Sequence, residues 1–156
     1  MGRIALAHLQ NRKVDCAWID IGEMDLPLCD ADKCYGMPGS KKLGAEIKTA
    51  DGILIAAPVY NYDVAAAAKN MIELTGSVWE DKIVGFLCAA GGDGSYMSVM
   101  AYANSLMLDF RCVIIPRFVF ATGDAFDGEN ITDKKITERI EQVADDLVRF
   151  TEALRS

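Results

Sequence analysis

The apolar residues of this chain form short continuous runs and longer periodic stretches, which alternate along the sequence. Two continuous runs, at residues 52–57 and 82–90, have the length and composition of strands that are buried on both faces. Residues 14–21 also read as a strand, and a last strand is predicted over residues 112–120 with a break at Pro116.

Helices are predicted between these strands, where apolar residues recur at three- and four-residue steps. The predicted helices cover residues 2–9, 39–49, 64–74 and 95–110, followed by a long helix after residue 130. An irregular loop that contains aspartate, glycine and proline is expected over residues 22–38.

Strands that alternate with helices predict parallel β-α-β units, here within one domain that spans residues 1–156. The fully apolar strands require helices on both faces of the sheet. The predicted fold class is therefore α/β, a three-layer sandwich with a parallel sheet of four strands. Ligands of such sheets bind at the carboxyl ends of the strands, so the loops after residues 57, 90 and 120 are the candidate site.

The composition narrows the possible partners. With 51% hydrophobic and 25% charged residues, the 156-residue chain has the balance of a folded domain, and its net charge of −7 disfavours nucleic acid. No apolar run reaches the ~18 residues of a membrane span, so we expect no membrane partner. Five cysteines, several of them within apolar runs, predict reduced thiols and a cytoplasmic protein.

The loops after the two apolar strands carry residues suited to a flat heteroaromatic ligand. The first contains Tyr60, which offers a stacking face, and Asn61; the second contains Gly91, Gly92 and Gly94. Glycine permits close approach of the backbone, whose amides can donate hydrogen bonds. The alternative is that Tyr60 and Asn61 are turn residues and that the glycines only interrupt secondary structure.

In these loops the chain resembles the NAD(P)H-dependent FMN reductases of the flavodoxin-like fold. Pro58-Val59-Tyr60-Asn61 is similar to the family's Pro-Glu-Tyr-Asn, with Val59 where the family usually has Glu. Ala68-Lys69-Asn70 is similar to its Leu-Lys-Asn, and Gly91-Gly92-Asp93-Gly94 to its glycine-rich loop. The stretch Met24-Asp25-Leu26-Pro27-Leu28 also matches, and the resemblance covers nearly all of the chain from residue 14 on.

The resemblance implies a flavin-dependent oxidoreductase in which NAD(P)H reduces FMN and FMN then reduces a small acceptor, such as a quinone, an azo compound or free flavin. No acid–base pair is required, because the cofactor carries the chemistry, and we assign no catalytic side chain. The implied cofactor-binding residues are Pro58, Val59, Tyr60, Asn61, Ala90, Gly91, Gly92 and Asp93. Tyr60 and Asn61 would hold the ring edge, and the amides of Gly91 and Gly92 would stabilise its pyrimidine side.

The resemblance also implies a homodimer that pairs through the helices after these two loops. Both helices are unusually apolar, which predicts a covered face. The residues concerned are Val64 to Ala68, Met71, Ile72, Met97, Val99, Met100, Tyr102, Leu106 and Met107.

The family's first strand and its loop around the FMN phosphate have no counterpart in the sequence pattern. We therefore expect a domain that is N-terminally incomplete relative to the family, and weak or absent FMN binding by the chain as written. Either the chain is a shortened version, or it is a variant that pairs its strands differently. A cofactor-free interaction module, or an inactive truncated reductase, is the alternative function.

Several other polar residues are assigned structural roles. Lys69 and Asn70 are expected to pack or to face solvent rather than bind a ligand. Cys29 and Cys34 lack the spacing of a metal knuckle, so we predict no metal site and interpret them as free or incidentally oxidised thiols. His8 is the single histidine and lies at the chain end, which disfavours a catalytic triad.

Overall fold

A computed structural model describes residues 1–154 and has helices and strands in alternation. The helices are α1 (Gly2–Asn11), α2 (Pro38–Thr49), α3 (Ala66–Thr75), α4 (Val99–Phe110) and α5 (Lys134–Leu154). The strands are β1 (Gly52–Tyr60), β2 (Asp63–Val64), β3 (Ile83–Ala90), β4 (Val113–Ile114), β5 (Val119–Thr122), β6 (Phe126–Asp127) and β7 (Asn130–Ile131). The predicted helices are thus confirmed, with bounds that shift by a few residues.

The main sheet is built around β3. Strands β1, β4 and β5 all pair with β3 in parallel, while β2 folds back on the end of β1 in antiparallel orientation. β4 and β5 pair with successive parts of the same side of β3, because the chain leaves the ladder between them at the predicted break around Pro116. β6 and β7 form a separate small hairpin.

Helices cover both faces of the sheet, as the fully apolar strands predicted. Successive side chains of a strand point to opposite faces; Val84 and Phe86 lie in the core cluster with Leu43 and Leu106, under α2, α3 and α4. Leu87 faces the other cluster, under α1 and α5. The three-layer α/β architecture is therefore confirmed.

The predicted strand at residues 14–21 is wrong. Residues 14–20 have no regular secondary structure and pair with no strand. This segment keeps the alternation of a strand, since Val14 and Cys16 pack on the α1 and α5 side while Ile19 and Ile21 pack on the other. Extended backbone becomes a strand only when a neighbour accepts its hydrogen bonds. Within residues 1–154, the edge of β1 away from β3 is paired only by β2, at residues 59–60.

α1 and α5 are tied together by a polar cluster. His8 Nε2 lies 2.7 Å from Asp145 Oδ1, and Arg12 also pairs with this carboxylate. Burial by itself would raise the pKa of Asp145, but the hydrogen bonds from His8 and Arg12 bring the pKa below its ordinary value. The histidine therefore has a role in helix packing.

Two further structural findings concern the described residues. No helix within residues 1–154 combines the length and the apolar character needed to cross a membrane. In the same part of the chain, no three His, Cys, Asp or Glu side chains are grouped so that they could hold a metal ion.

Candidate functional site

The loops singled out in the sequence meet at one end of the sheet. Pro58 is the register partner of Ala89, and Ala90 is the register partner of Thr122. Because these strands are parallel, their carboxyl ends open toward the same side. We call this region the strand-end site; it comprises Pro58, Tyr60, Asn61, Tyr62, Gly91, Gly92, Asp93 and Thr122.

A tight hairpin presents the tyrosines of this site. Tyr60 pairs with Asp63, which leaves a two-residue turn of Asn61 and Tyr62, with φ values of 51° and 65°. Two positive φ values are the pattern of a type I′ turn, in which asparagine is favoured. Asn61 therefore lies in the turn itself, and the turn leaves the Tyr60 side chain 64% exposed.

The glycine-rich loop lies beside this hairpin and leaves its backbone open. A Cβ added to Gly91 or Gly92 would meet no atom within 4 Å. A Cβ on Gly94 would lie 3.0 Å from the hydroxyl of Tyr62, so the tyrosine packs over this glycine. The open backbone at residues 91–92 and the exposed ring of Tyr60 together suit a planar ligand that carries hydrogen-bonding groups on its edge.

The predicted site residues divide into two groups. Pro58, Tyr60, Asn61, Gly91, Gly92 and Asp93 are exposed at the strand-end site. The side chains of Val59 and Ala90 are instead buried in the core. In a strand that ends at a site, alternate side chains face the core, so only the backbone of these two residues is available to a ligand.

Sequence reasoning missed three residues near the strand-end site. Tyr62 is exposed beside Tyr60, and Thr122 ends the strand next to Ala90. Tyr96 packs against Phe118 in a tilted arrangement and against Phe120 edge-to-face, with ring centroids 4.9 and 5.5 Å apart. The position of Thr122 at the end of a predicted strand was the signal that could have identified it.

The start of α1 offers few hydrogen-bond donors to a phosphate. A methyl group on Gly2 would lie 3.1 Å from the Trp18 ring and 3.4 Å from Ala56 Cβ, so α1 begins beside β1. The first helical N–H groups and the Arg3 side chain are the donors there. Arg3 lies 5.3 Å from the Trp18 ring centroid. Residues 1–13 contain no Ser or Thr, whose hydroxyl groups would add to this set.

The Lys69-Asn70 pair has structural roles, as predicted. Lys69 pairs with Glu73 at 3.2 Å on the surface of α3. Asn70 accepts a hydrogen bond from the N–H of Cys29 and donates one to the carbonyl of Pro27, both at 2.9 Å. One carboxamide thereby holds the loop before α2 against α3.

We expect Asn70→Ala to destabilise this loop, because the backbone groups of Pro27 and Cys29 lose their partner. The free energy of unfolding should fall by about 1–3 kcal/mol, and the Cys29 amide should exchange faster with solvent. Denaturant unfolding and hydrogen exchange measure both effects. Asn104→Ala, at an exposed helical position on α4, is the matched control. Equal effects of the two substitutions would contradict the assigned role.

Comparison with known proteins places this geometry in context. The chain matches the family model described as NADPH-dependent FMN reductase over residues 1–127. It is 26% identical over 156 residues to an NAD(P)H-dependent FAD/FMN reductase from Geobacillus thermodenitrificans, covering 95% of this chain and 84% of that protein. It is 33% identical over 145 residues to an NADPH:quinone oxidoreductase from Arabidopsis thaliana, covering 86% and 73%.

Solved structures agree on the fold. An oxidoreductase from Corynebacterium diphtheriae superposes with a TM-score of 0.78 at 17% identity, covering 99% of this chain and 86% of that one. FerB, a flavoenzyme NAD(P)H:(acceptor) oxidoreductase from Paracoccus denitrificans, gives 0.77 at 20% identity, covering 97% and 87%. Flavodoxin-like proteins are among the further matches, including a WrbA-like protein from Agrobacterium tumefaciens with a TM-score of 0.67, at 13% identity and covering 99% and 90%.

Proposed function

Because this chain belongs to the NADPH-dependent FMN reductase family and is a flavin-dependent oxidoreductase with NAD(P)H as reductant, we propose that its flavin ring lies at the strand-end site. The observation that carries this proposal is the open backbone of Gly91 and Gly92 beside the exposed ring of Tyr60. FMN, when bound, supplies the electron relay, since it can take a hydride from NAD(P)H and pass two electrons to an acceptor.

The residues of the strand-end site would bind and orient the ring rather than react with it. Tyr60 would contact the ring, and the N–H groups of Gly91 and Gly92 would donate to its polar edge. The type I′ turn at Asn61 fixes the backbone of Tyr60, so flavin binding requires little further ordering of this backbone. Pro58, Asp93 and the backbone of Val59 and Ala90 would complete the rim.

We propose small planar quinones as acceptors, with azo compounds and free flavins as further substrates. The quinone oxidoreductase from Arabidopsis and an NADPH azoreductase from a Bacillus strain support this class. The exposed tyrosines of the strand-end site are also suited to planar molecules.

The experiment is to follow oxidation of NADPH and NADH by the purified chain with added FMN, using menadione, methyl red or riboflavin as acceptor. We expect protein-dependent oxidation that rises with FMN concentration and is fastest with the quinone. The mixture of FMN, nicotinamide and acceptor without protein is the control. Rates no higher than this control would contradict the proposal.

Two substitutions test the location of the ring. Tyr60→Ala should weaken flavin binding by about tenfold through loss of aromatic contact. Gly92→Val should weaken it by at least about as much, because the side chain would cover the backbone that the ring approaches. Fluorescence titration with FMN measures both. Gly36→Val is the matched control, since a Cβ there also meets open space but lies on the loop before α2. Unchanged affinity in both site variants would refute this location.

We also propose that residues 1–156 form one domain in the cytoplasm. All five cysteines are free, which supports a reducing compartment. The two core clusters share the single main sheet, which supports one folded unit.

A homodimer through α4 is proposed on a narrower surface than the sequence suggested. Most of the predicted apolar residues, including Met71, Tyr102 and Leu106, are buried within the chain itself. Met100, Met107 and Leu108 remain exposed along one side of α4, and Met97 is exposed in the turn just before it. A stripe of this kind on a soluble domain favours contact with a second copy.

We expect light scattering at micromolar concentration to give twice the monomer mass of 17.0 kDa. Met100→Glu should shift the protein toward monomer, because the carboxylate would be desolvated in the contact. Asp109→Glu, at an exposed position on the opposite side of the same helix, is the control. A monomeric mass for the unsubstituted chain would overturn the proposal.

A further inference from the structure

Two thiols lie side by side in the loop before α2, which Asn70 of α3 holds in place. The sulfur atoms of Cys29 and Cys34 are 3.8 Å apart. Cys34 is 1% exposed, whereas Cys29 is partly open to solvent. Formation of a disulfide of about 2.0 Å requires the sulfurs to approach by less than about 2 Å, which side-chain rotation can supply.

Hydrogen bonds hold both cysteines in this arrangement. The carboxylate of Asp30 accepts the N–H groups of Asp32 and Cys34, each at 3.0 Å. The N–H of Cys29 donates to Asn70, as described above. The backbone that carries the two thiols is therefore fixed on both sides, so the pair is preorganised rather than adventitious.

The two thiols differ in reactivity. The backbone N–H of Ala31, followed by the hydroxyl of Tyr35 at 3.7 Å, lowers the pKa of Cys29 from its ordinary value. Burial raises the pKa of Cys34. The thiolate is the reactive form of cysteine, so Cys29 is the attacking group and Cys34 the second partner.

The remaining cysteines do not have these properties. Cys88 and Cys112 are buried, and burial raises the pKa of each thiol to about 11. Cys16 also has a raised pKa, caused by burial and by the charge of Asp15. Reaction with an oxidant should thus be confined to the loop before α2.

We propose that Cys29 and Cys34 form a redox site that is oxidised by hydroperoxides to an intramolecular disulfide. The Cys29 thiolate attacks one peroxide oxygen, the O–O bond breaks, and the released hydroxide takes a proton to become water. Cys34 then attacks the resulting sulfenic acid; the S–S bond forms, the S–O bond breaks, and a second water leaves. Overall, two thiols and one hydrogen peroxide give one disulfide and two waters, and a dithiol reductant reverses the change.

The test uses the full, pre-reduced chain and a small excess of hydrogen peroxide. Intact mass should fall by about 2 Da, the change for loss of two hydrogens, and two of the five thiols should become unreactive after denaturation. Proteolysis without reduction should recover a peptide linking Cys29 to Cys34. Dithiothreitol should restore both thiols. This arm needs no variant, so it does not depend on how a substitution affects folding.

Variants identify the order of attack. Cys34→Ser should stop at the sulfenic acid, which dimedone traps on Cys29, whereas Cys29→Ser should slow thiol loss by about tenfold or more. Cys16→Ser, at a cysteine outside the loop, should react like the unsubstituted chain. Five thiols remaining after peroxide, a disulfide that joins any other pair, or dimedone labelling of Cys34 in Cys29→Ser as fast as that of Cys29 in Cys34→Ser would each overturn the proposal.

Discussion

FMN and riboflavin are expected to bind this chain with affinities within about fivefold of each other. They differ by the phosphate, and a well-held phosphate accepting three charge-assisted hydrogen bonds at about 1.5 kcal/mol each would separate them by roughly a thousandfold. The donors at the start of α1 are the first helical N–H groups and Arg3, without a hydroxyl group in residues 1–13. An exposed arginine contributes about 1 kcal/mol or less to such a contact.

Isothermal titration of both ligands into the same preparation measures this difference. Arg3→Ala should lower the FMN affinity only slightly and leave riboflavin unchanged. Lys13→Ala, which removes an exposed positive charge beyond the end of α1, controls for the loss of charge. Binding of FMN a hundredfold tighter than riboflavin would show that the phosphate is anchored by groups other than those at the start of α1.

Trp79→Ala is expected to cost about 3–5 kcal/mol of folding free energy, as for other buried aromatic residues that are truncated to alanine. Trp79 is 0% exposed and lies in the core cluster with Leu43. Its indole N–H donates to the hydroxyl of Thr75 at 2.7 Å, and its carbonyl accepts the Cys112 thiol at 3.1 Å. The residue thereby joins α3 to the segment just before β4. Trp79→Ala keeps the main-chain carbonyl, but it removes the indole hydrogen bond and leaves a cavity.

Thermal and urea unfolding measure this loss, and we expect the midpoint temperature to fall by about 10 °C. Trp18→Ala is the matched control, because Trp18 is 46% exposed and its ring lies beside Gly2 and Arg3 at the start of α1. Trp18→Ala should lower the free energy of unfolding by no more than about 1 kcal/mol. Each variant keeps one tryptophan, so fluorescence reports unfolding in both. A smaller loss for Trp79 than for Trp18 would refute the assignment.

The sequence predicted a helix or strand correctly where the spacing of its apolar residues alone determines the type of element. β3 was predicted because its apolar residues leave no polar face, and this required helices on both sides. α5 was predicted because its apolar residues recur at helical spacing. The position of the strand-end site followed as well, since parallel strands bring their carboxyl ends together whatever the side chains.

Tertiary structure decided the features that depend on a partner distant in sequence. Residues 14–21 have the alternation of a strand, but a ladder needs a neighbour, and none pairs with them in the described part of the chain. Val59 and Ala90 lie at the ends of β1 and β3, beside the loops of the strand-end site. The side chains of both residues nevertheless point into the core.

The Cys29–Cys34 pair and the exposed side of α4 also depend on contacts between segments that are distant in sequence. Spacing alone showed two cysteines five residues apart; the carboxylate of Asp30 and the carboxamide of Asn70 bring their sulfurs together. Apolar composition showed that α3 and α4 need cover, but packing against β1 and β3 decided that only one side of α4 remains exposed. The spacing of apolar residues is a property of neighbouring positions and can be read from the sequence. Contacts between distant segments exist only once the chain has folded.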